Sequence, residues 1–260
     1  MEADSPDAPP FDAVILAGGT ASPDMERRAG TPHRALFPYK DKPYIQWVYE
    51  AVRGSEFVDR IAVVGPEALS EVPSVSGADL LVPELDSIEA NLFGVLARLL
   101  PEKRVLITAS DNPLLTTEAF DNFLARCPEH SAVAYPILRH ETFIRQFPRA
   151  TNVSIKLRDG TWIGGGQAVI HSKSIPKLQH WIQTVLAARK DLKQMVSLLG
   201  LKFAMQFSLK RVTSQQVEDR ICEITGLPIR FIRDCSSVFP IDIDDPADWD
   251  YLNRWTPAKW

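Results

Sequence analysis

The sequence predicts an α/β protein, a three-layer α/β/α sandwich built on a mixed, mostly parallel sheet. Two observations predict it. Short apolar runs recur along the chain with helix-patterned stretches between them, and the first run leads straight into a glycine pair. The chain also has no internal repeat and no low-complexity linker, so residues 11–255 read as a single domain. The acidic, proline-rich residues 1–10 read as a disordered tail.

The elements follow in order. Residues 13–17 (AVILA) form the first strand. Residues 44–53 form a helix, with Ile45, Val48 and Val52 on one face. Residues 60–65 and 79–82 are strands, and Ser87 caps a helix that runs through Leu99, with Leu92, Val95, Leu96 and Leu99 turned inward. Residues 104–108 make a strand and Thr117 caps the helix after it, to about Cys127. Residues 132–136 and 154–157 are strands, residues 158–161 a turn, and three glycines from Gly164 to Gly166 lead into residues 167–170. Residues 174–226 are helical almost throughout, an elaboration on the sandwich. A late strand at 228–232 and a helix at 246–252, with Pro246 in its first turn, complete the reading.

Composition limits the function classes. The 260 residues are 45% hydrophobic and 24% charged, which is ordinary for a globular chain. A net charge of −4 provides no global field to draw the protein to nucleic acid or anionic lipid, so any anion it binds must be held by a local arrangement. Cys127, Cys222 and Cys235 are odd in number and in no ligand spacing, which argues against a disulfide framework or a zinc site. No apolar run reaches the length of a membrane span, and the N-terminus lacks the basic region of a secretory signal, so a cytoplasmic location is expected.

Three short stretches hold residues able to do chemistry. Gly18 and Gly19 follow the first strand, where glycines let the backbone turn sharply and present N–H groups to phosphate. Neither familiar glycine fingerprint is present, so a plain structural turn stays open at this point. In TASDNP, residues 108–113, Asp111 stands just past a strand end, where open α/β sheets bind ligands and where a carboxylate can hold a divalent cation. A turn or helix cap is the alternative. In IDIDDPADW, residues 241–249, Asp242 and Asp244 fall on one side if the segment is extended, while Asp245 is placed to cap the helix. An acidic first helical turn is the alternative there.

Taken together and in this order, LAGG, D-x-P after a central strand and the late D-x-D-x-P-x-D resemble the MobA-like nucleotidyltransferases. Further matching stretches are RALFPYKDKPYIQWVYEAV, ELDSIEANLFGVL, ASDNPLLT and VSIKLRDGTWIGGGQAVI, which are closest to an uncharacterised bacterial branch of that family. The resemblance covers residues 11–255 and implies a Rossmann-like, glycosyltransferase-A-like fold. It also implies a reaction, transfer of a nucleoside monophosphate from an NTP to a phosphorylated small-molecule acceptor with release of pyrophosphate, assisted by Mg²⁺. In that reading Leu16, Ala17, Gly18, Gly19 and Thr20 wrap the nucleotide, and Arg27, Arg28, Ser87, Asn91 and Ser110 contact it. Asp111 and Asp244 hold the metal with Asp242 in support, and Arg34 neutralises phosphate. Ser87 as a plain helix cap and Asn91 as a solvated helix position are the bland readings.

The chain departs from the family pattern at several of these places. Residues 20–25 form a polar loop without the family's later glycine, with Pro23 lacking an N–H and Asp24 adding negative charge. Arg34 replaces a lysine, Asp41 stands in place of a glycine, and Gly166 falls where an asparagine would stand, with Gln167 beside it. These departures keep two other readings in view, a catalytically weakened nucleotide or sugar-nucleotide binding protein and a glycosyltransferase of the same fold. The apolar, basic stretch at 195–212 reads as a core-facing helical subdomain, with a lid over an apolar acceptor or a homodimer contact as alternatives.

Overall fold

The computed structural model describes residues 10–188 and 191–255, so the tail expected at 1–10 lies, apart from its last residue, outside the described residues. The chain forms two compact units, residues 1–125 and 126–260.

The first unit alternates strands and helices. Its elements are β1 (Phe11–Leu16), α1 (Pro23–Ala29), the two-residue strands β2 (Pro38–Tyr39) and β3 (Lys42–Pro43), α2 (Tyr44–Arg53), β4 (Val58–Gly65), β5 (Leu80–Pro83), α3 (Ile88–Leu99), β6 (Arg104–Ala109) and α4 (Thr117–Leu124). The long strands run in the order β5-β4-β1-β6, and every pairing among them is parallel. Central β1 is buried along nearly all its length, which is why its sequence is continuously apolar rather than alternating. The exception is Asp12, wholly buried and held by a two-pronged ion pair from Arg60 Nη2 at 2.7 Å and Nε at 3.1 Å.

Helix α3 starts as expected, the Ser87 hydroxyl accepting from the Ala90 amide at 3.1 Å. Helix α4 is capped by Thr116, not Thr117. Thr116 takes the Ala119 amide at 3.2 Å, while the Thr117 hydroxyl is spent on the Ala51 carbonyl at 3.0 Å. The second half of the polar loop expected at 20–25 is helical. Ser22 caps α1, Pro23 fills its first turn without wasting an N–H, and Gly30 ends it at φ 74°.

The second unit contains β7 (Val133–Arg139), α5 (His140–Gln146), β8 (Ser154–Leu157), β9 (Gly160–Gly164), β10 (Ala168–His171), α6 (Ile175–Ala188), α7 (Leu192–Ser197), α8 (Leu201–Ser208), α9 (Ser214–Thr225), β11 (Ile229–Ile232) and α10 (Pro246–Arg254). β7 pairs antiparallel with β10 and β9 and parallel with β11, and β8 pairs antiparallel with β9. The pairing is thus mixed and the fold class is α/β, as expected. The helical elaboration takes the form of α6 to α9. Its Phe207 and Val217 pack on a buried cluster of Ile137, Leu157 and Trp162 from the strands. Asp159, in the turn between β8 and β9, joins the two layers by accepting from the Ser214 amide at 3.0 Å and its hydroxyl at 2.7 Å.

Candidate active site

In the first unit, the ends of β1, β5 and β6 meet. The Ser110 amide donates to the Leu16 carbonyl at 3.1 Å and the Ala17 amide to the Val64 carbonyl at 2.7 Å, continuing the sheet pattern past the strand ends. Gly18, Gly19 and Thr20 therefore leave the sheet beside Ser110, with Asp111 one residue further along. Ser110 is buried and Asp111 half-buried. Asn112 fixes the turn by accepting the Leu114 amide on its Oδ1 at 3.1 Å.

The glycine pair has two distinct jobs. Gly19 has φ 100°, a conformation that side-chain-bearing residues rarely adopt, and its amide donates to Glu84 Oε2 at 2.7 Å. Gly18 is needed for space. A Cβ there would stand 2.6 Å from Glu84 Oε2 and 2.8 Å from Asn91 Nδ2. Asn91 is buried, not a solvated helix position, and its Oδ1 accepts the Leu85 amide. The LAGG turn thus rests on the chain that leaves β5. Glu84 was missed by sequence reasoning, although its position just past a strand end was the available signal.

The loop beyond the glycines is closed at its base. Thr20 and His33 form an antiparallel bridge, and the Ala21 amide donates to the Pro32 carbonyl at 2.8 Å. This clasp sets Arg34 one residue from the bridge, at the head of a short 3₁₀ turn, half-buried. Arg27 and Arg28 on α1 both pair with Asp24, at 3.0 and 3.6 Å. The turn after Arg34 seats Phe37 edge-on against the wholly buried Tyr44 ring, centroids 5.9 Å apart. Burial pushes the Tyr44 phenol well above its usual pKa, and the nearby charge of Asp111 adds to the rise. Tyr44 is a second residue near the candidate site that sequence reasoning did not single out.

In the second unit, residues 241–245 behave as the alternation predicts. Ile241 and Ile243 are buried while Asp242 and Asp244 are exposed, and the two aspartates offer carboxylate oxygens within 4.8 Å of each other. That oxygen-only, doubly negative pair suits a hard divalent cation. Asp245 caps α10, accepting the Ala247 and Asp248 amides at 2.8 and 3.0 Å. Asp248 accepts the Asp244 amide at 3.3 Å, and burial together with the Asp245 charge raises its pKa. Near the glycine run, Gly166 is exposed and donates to the Phe239 carbonyl at 3.2 Å. Gln167 is buried, and its Oε1 accepts no hydrogen bond among the described residues.

A parallel sheet with a glycine turn and a carboxylate at its strand ends has the place where open α/β folds bind their ligands. The family is shown by sequence. Residues 13–214 match the model of the MobA-like NTP transferase domain, and the chain belongs to that family. A hypothetical transferase from Thermus thermophilus is 30% identical, with a TM-score of 0.80 over 91% of this chain and 98% of that one. A CMP:2-keto-3-deoxy-manno-octonic acid synthetase solved with CTP is 16% identical, with a TM-score of 0.60 over 94% and 96% of the two chains. The Rv0371c protein of Mycobacterium tuberculosis, solved with manganese, is 15% identical, with a TM-score of 0.50 over 95% and 99%. The last two share the fold. No curated protein matches the sequence. No helix among the described residues is long and apolar enough to cross a membrane.

Proposed function

We propose that this protein transfers a nucleoside monophosphate from an NTP to a phosphorylated small-molecule acceptor, working in the cytoplasm as one functional domain over residues 11–255. An acceptor phosphate oxygen attacks the α-phosphorus, the bond from that phosphorus to the bridging oxygen breaks, and pyrophosphate leaves with the electron pair. The observation that carries the reading is the meeting of the LAGG turn with Ser110 and Asp111 at parallel strand ends, in a chain of NTP transferase family.

Each residue has a task that its surroundings support. Leu16, Ala17, Gly18, Gly19 and Thr20 line the nucleotide, with Ser87, Asn91 and Ser110 beside them. Phosphate reaches the Gly19 amide only once the Glu84 carboxylate turns aside, so nucleotide binding exchanges one anion for another. Arg34, next to the Thr20–His33 bridge, neutralises phosphate in a two-pronged grip. Arg27 and Arg28 join it when released from Asp24. Asp111, Asp242 and Asp244 hold Mg²⁺ through oxygen. The chemistry such an ion would supply when bound is neutralisation of charge on the phosphate oxygens.

The test is pyrophosphate release from a panel of NTPs with Mg²⁺ and phosphorylated acceptors. Release that needs one base and one acceptor class supports the transferase. A second reading, a nucleotide binding protein with weakened catalysis, draws on the engagement of the Gly19 amide by Glu84 and of both α1 arginines by Asp24. Tight NTP binding without release favours it. Hydrolysis of nucleotide-sugars instead points to the glycosyltransferase reading.

A further inference from the structure

The helical elaboration differs in charge from the rest of the chain. Residues 174–226 contain eight lysines and arginines and four acidic residues, Asp191, Glu218, Asp219 and Glu223, in a protein whose net charge is −4. The basic character is therefore local, and the rest of the chain is strongly acidic.

Within this segment, α8 is apolar on two opposite sides. Phe203, Ala204 and Phe207 are half-buried, and Phe207 is anchored on the Ile137, Leu157 and Trp162 cluster. On the other side Leu201, Met205 and Leu209, one helical turn apart, are 81%, 59% and 61% exposed. They form the only helix-spaced row among the exposed large hydrophobics of the described residues. An outer row of that kind calls for a cover, and none of the described residues supplies one. Lys202 adjoins the row, and Lys210 and Arg211 follow its end, all three exposed.

We propose that α8 docks on an anionic lipid bilayer surface. The Leu201, Met205 and Leu209 side chains enter the headgroup region, and Lys202, Lys210 and Arg211 meet lipid phosphates. The combination of an aliphatic ridge with flanking cations is the chemistry of an interfacial helix, and the acidic Asp219 and Glu223 line a pocket with Phe203 and Gln206 that includes none of the three ridge residues. A second copy of this chain fits less well. A two-fold interface sets the same patch against itself, so the three cations of each copy would face those of the other. The inference is independent of the reading of the glycine loop, since it uses none of those residues.

The test is sedimentation of the full chain with vesicles of phosphatidylcholine alone and of phosphatidylcholine mixed with phosphatidylglycerol. Binding is expected on the anionic vesicles, weakened by salt. Combining Lys202→Glu, Lys210→Glu and Arg211→Glu is expected to reduce partitioning roughly a hundredfold. Combining Leu201→Ser, Met205→Ser and Leu209→Ser is expected to reduce it by more than about tenfold. Thermal melts of both variants check that the fold is kept. Equal partitioning to both vesicle types, or none, overturns the proposal, as does binding that neither variant changes. A dimer in light scattering that the serine variant dissociates, without vesicle binding, also overturns it and assigns the ridge to a second copy.

Discussion

Replacing Gly18 with alanine tests whether the LAGG turn is tightened against its neighbours or merely follows a strand. The new Cβ would lie 2.6 Å from Glu84 Oε2 and 2.8 Å from Asn91 Nδ2, both too close. Glu84 can swing, at the loss of its hydrogen bond from the Gly19 amide, a partly exposed bond worth about 0.5–1.5 kcal/mol. Asn91 cannot swing freely, because it is buried and its Oδ1 accepts the Leu85 amide. Displacing it leaves buried polar groups unmatched, at about 1–3 kcal/mol. Alanine recovers about 0.4–1 kcal/mol by restricting the unfolded chain. The net loss expected is about 0.5–4 kcal/mol, read as a shifted midpoint in urea with an unchanged slope. Gly19→Ala is the control. Its Cβ meets nothing within 4 Å, and its φ of 100° leaves backbone strain of about 1–2 kcal/mol as the main cost. The diagnostic difference is structural. Gly18→Ala should break the Glu84 and Asn91 contacts, seen as altered amide signals at Gly19 and Leu85, and Gly19→Ala should leave the Leu85 amide unchanged. A Gly18→Ala protein as stable as the parent, with both signals intact, would refute the packing argument.

Three further outcomes are expected. Arg34→Ala should weaken nucleotide binding by about 1.5–3 kcal/mol in titration calorimetry, and Arg34→Lys should keep affinity while raising turnover; no effect from either would remove Arg34 from the site. Burial raises the Asp159 pKa, but hydrogen bonds from the Ser214 hydroxyl and amide outweigh it and hold the carboxyl below its usual value. Its stabilisation is therefore full above the unfolded pKa of about 3.9 and lost as pH falls through the lower folded value. Asp159→Asn should cost about 1–2 kcal/mol at neutral pH and flatten stability against pH in that acid window, as measured by melts. Gln167→Leu should leave stability unchanged or raise it, because it removes a buried oxygen that accepts no hydrogen bond among the described residues. A clear loss in melting would show that the amide has a partner.

Much of the fold was legible because its strands are buried and therefore continuously apolar, as in β1, β4 and β6. Caps with side-chain acceptors were readable too, Ser87 and Asp245 among them. Thr116 was mistaken for Thr117 because two adjacent threonines can each cap, and only the tertiary contact of Thr117 with Ala51 decides between them. Helix α1 was missed because Pro23, which reads as a breaker, is favourable in a first helical turn. The positions of the glycines and Asp111, just past the ends of β1 and β6, were legible in the sequence. Glu84 and Tyr44 were not, since their relevance comes from contacts across the fold that carry no local signature.

The central claim is NTP-dependent transfer at a carboxylate-held divalent cation. Its most direct test is pyrophosphate release by the parent, Asp111→Asn and Asp244→Asn proteins across an Mg²⁺ titration, with fold checked by melting. The account predicts release that needs Mg²⁺ and is lost in each variant while melting is unchanged. Release that persists in either variant, or that proceeds equally with the metal chelated, would contradict it.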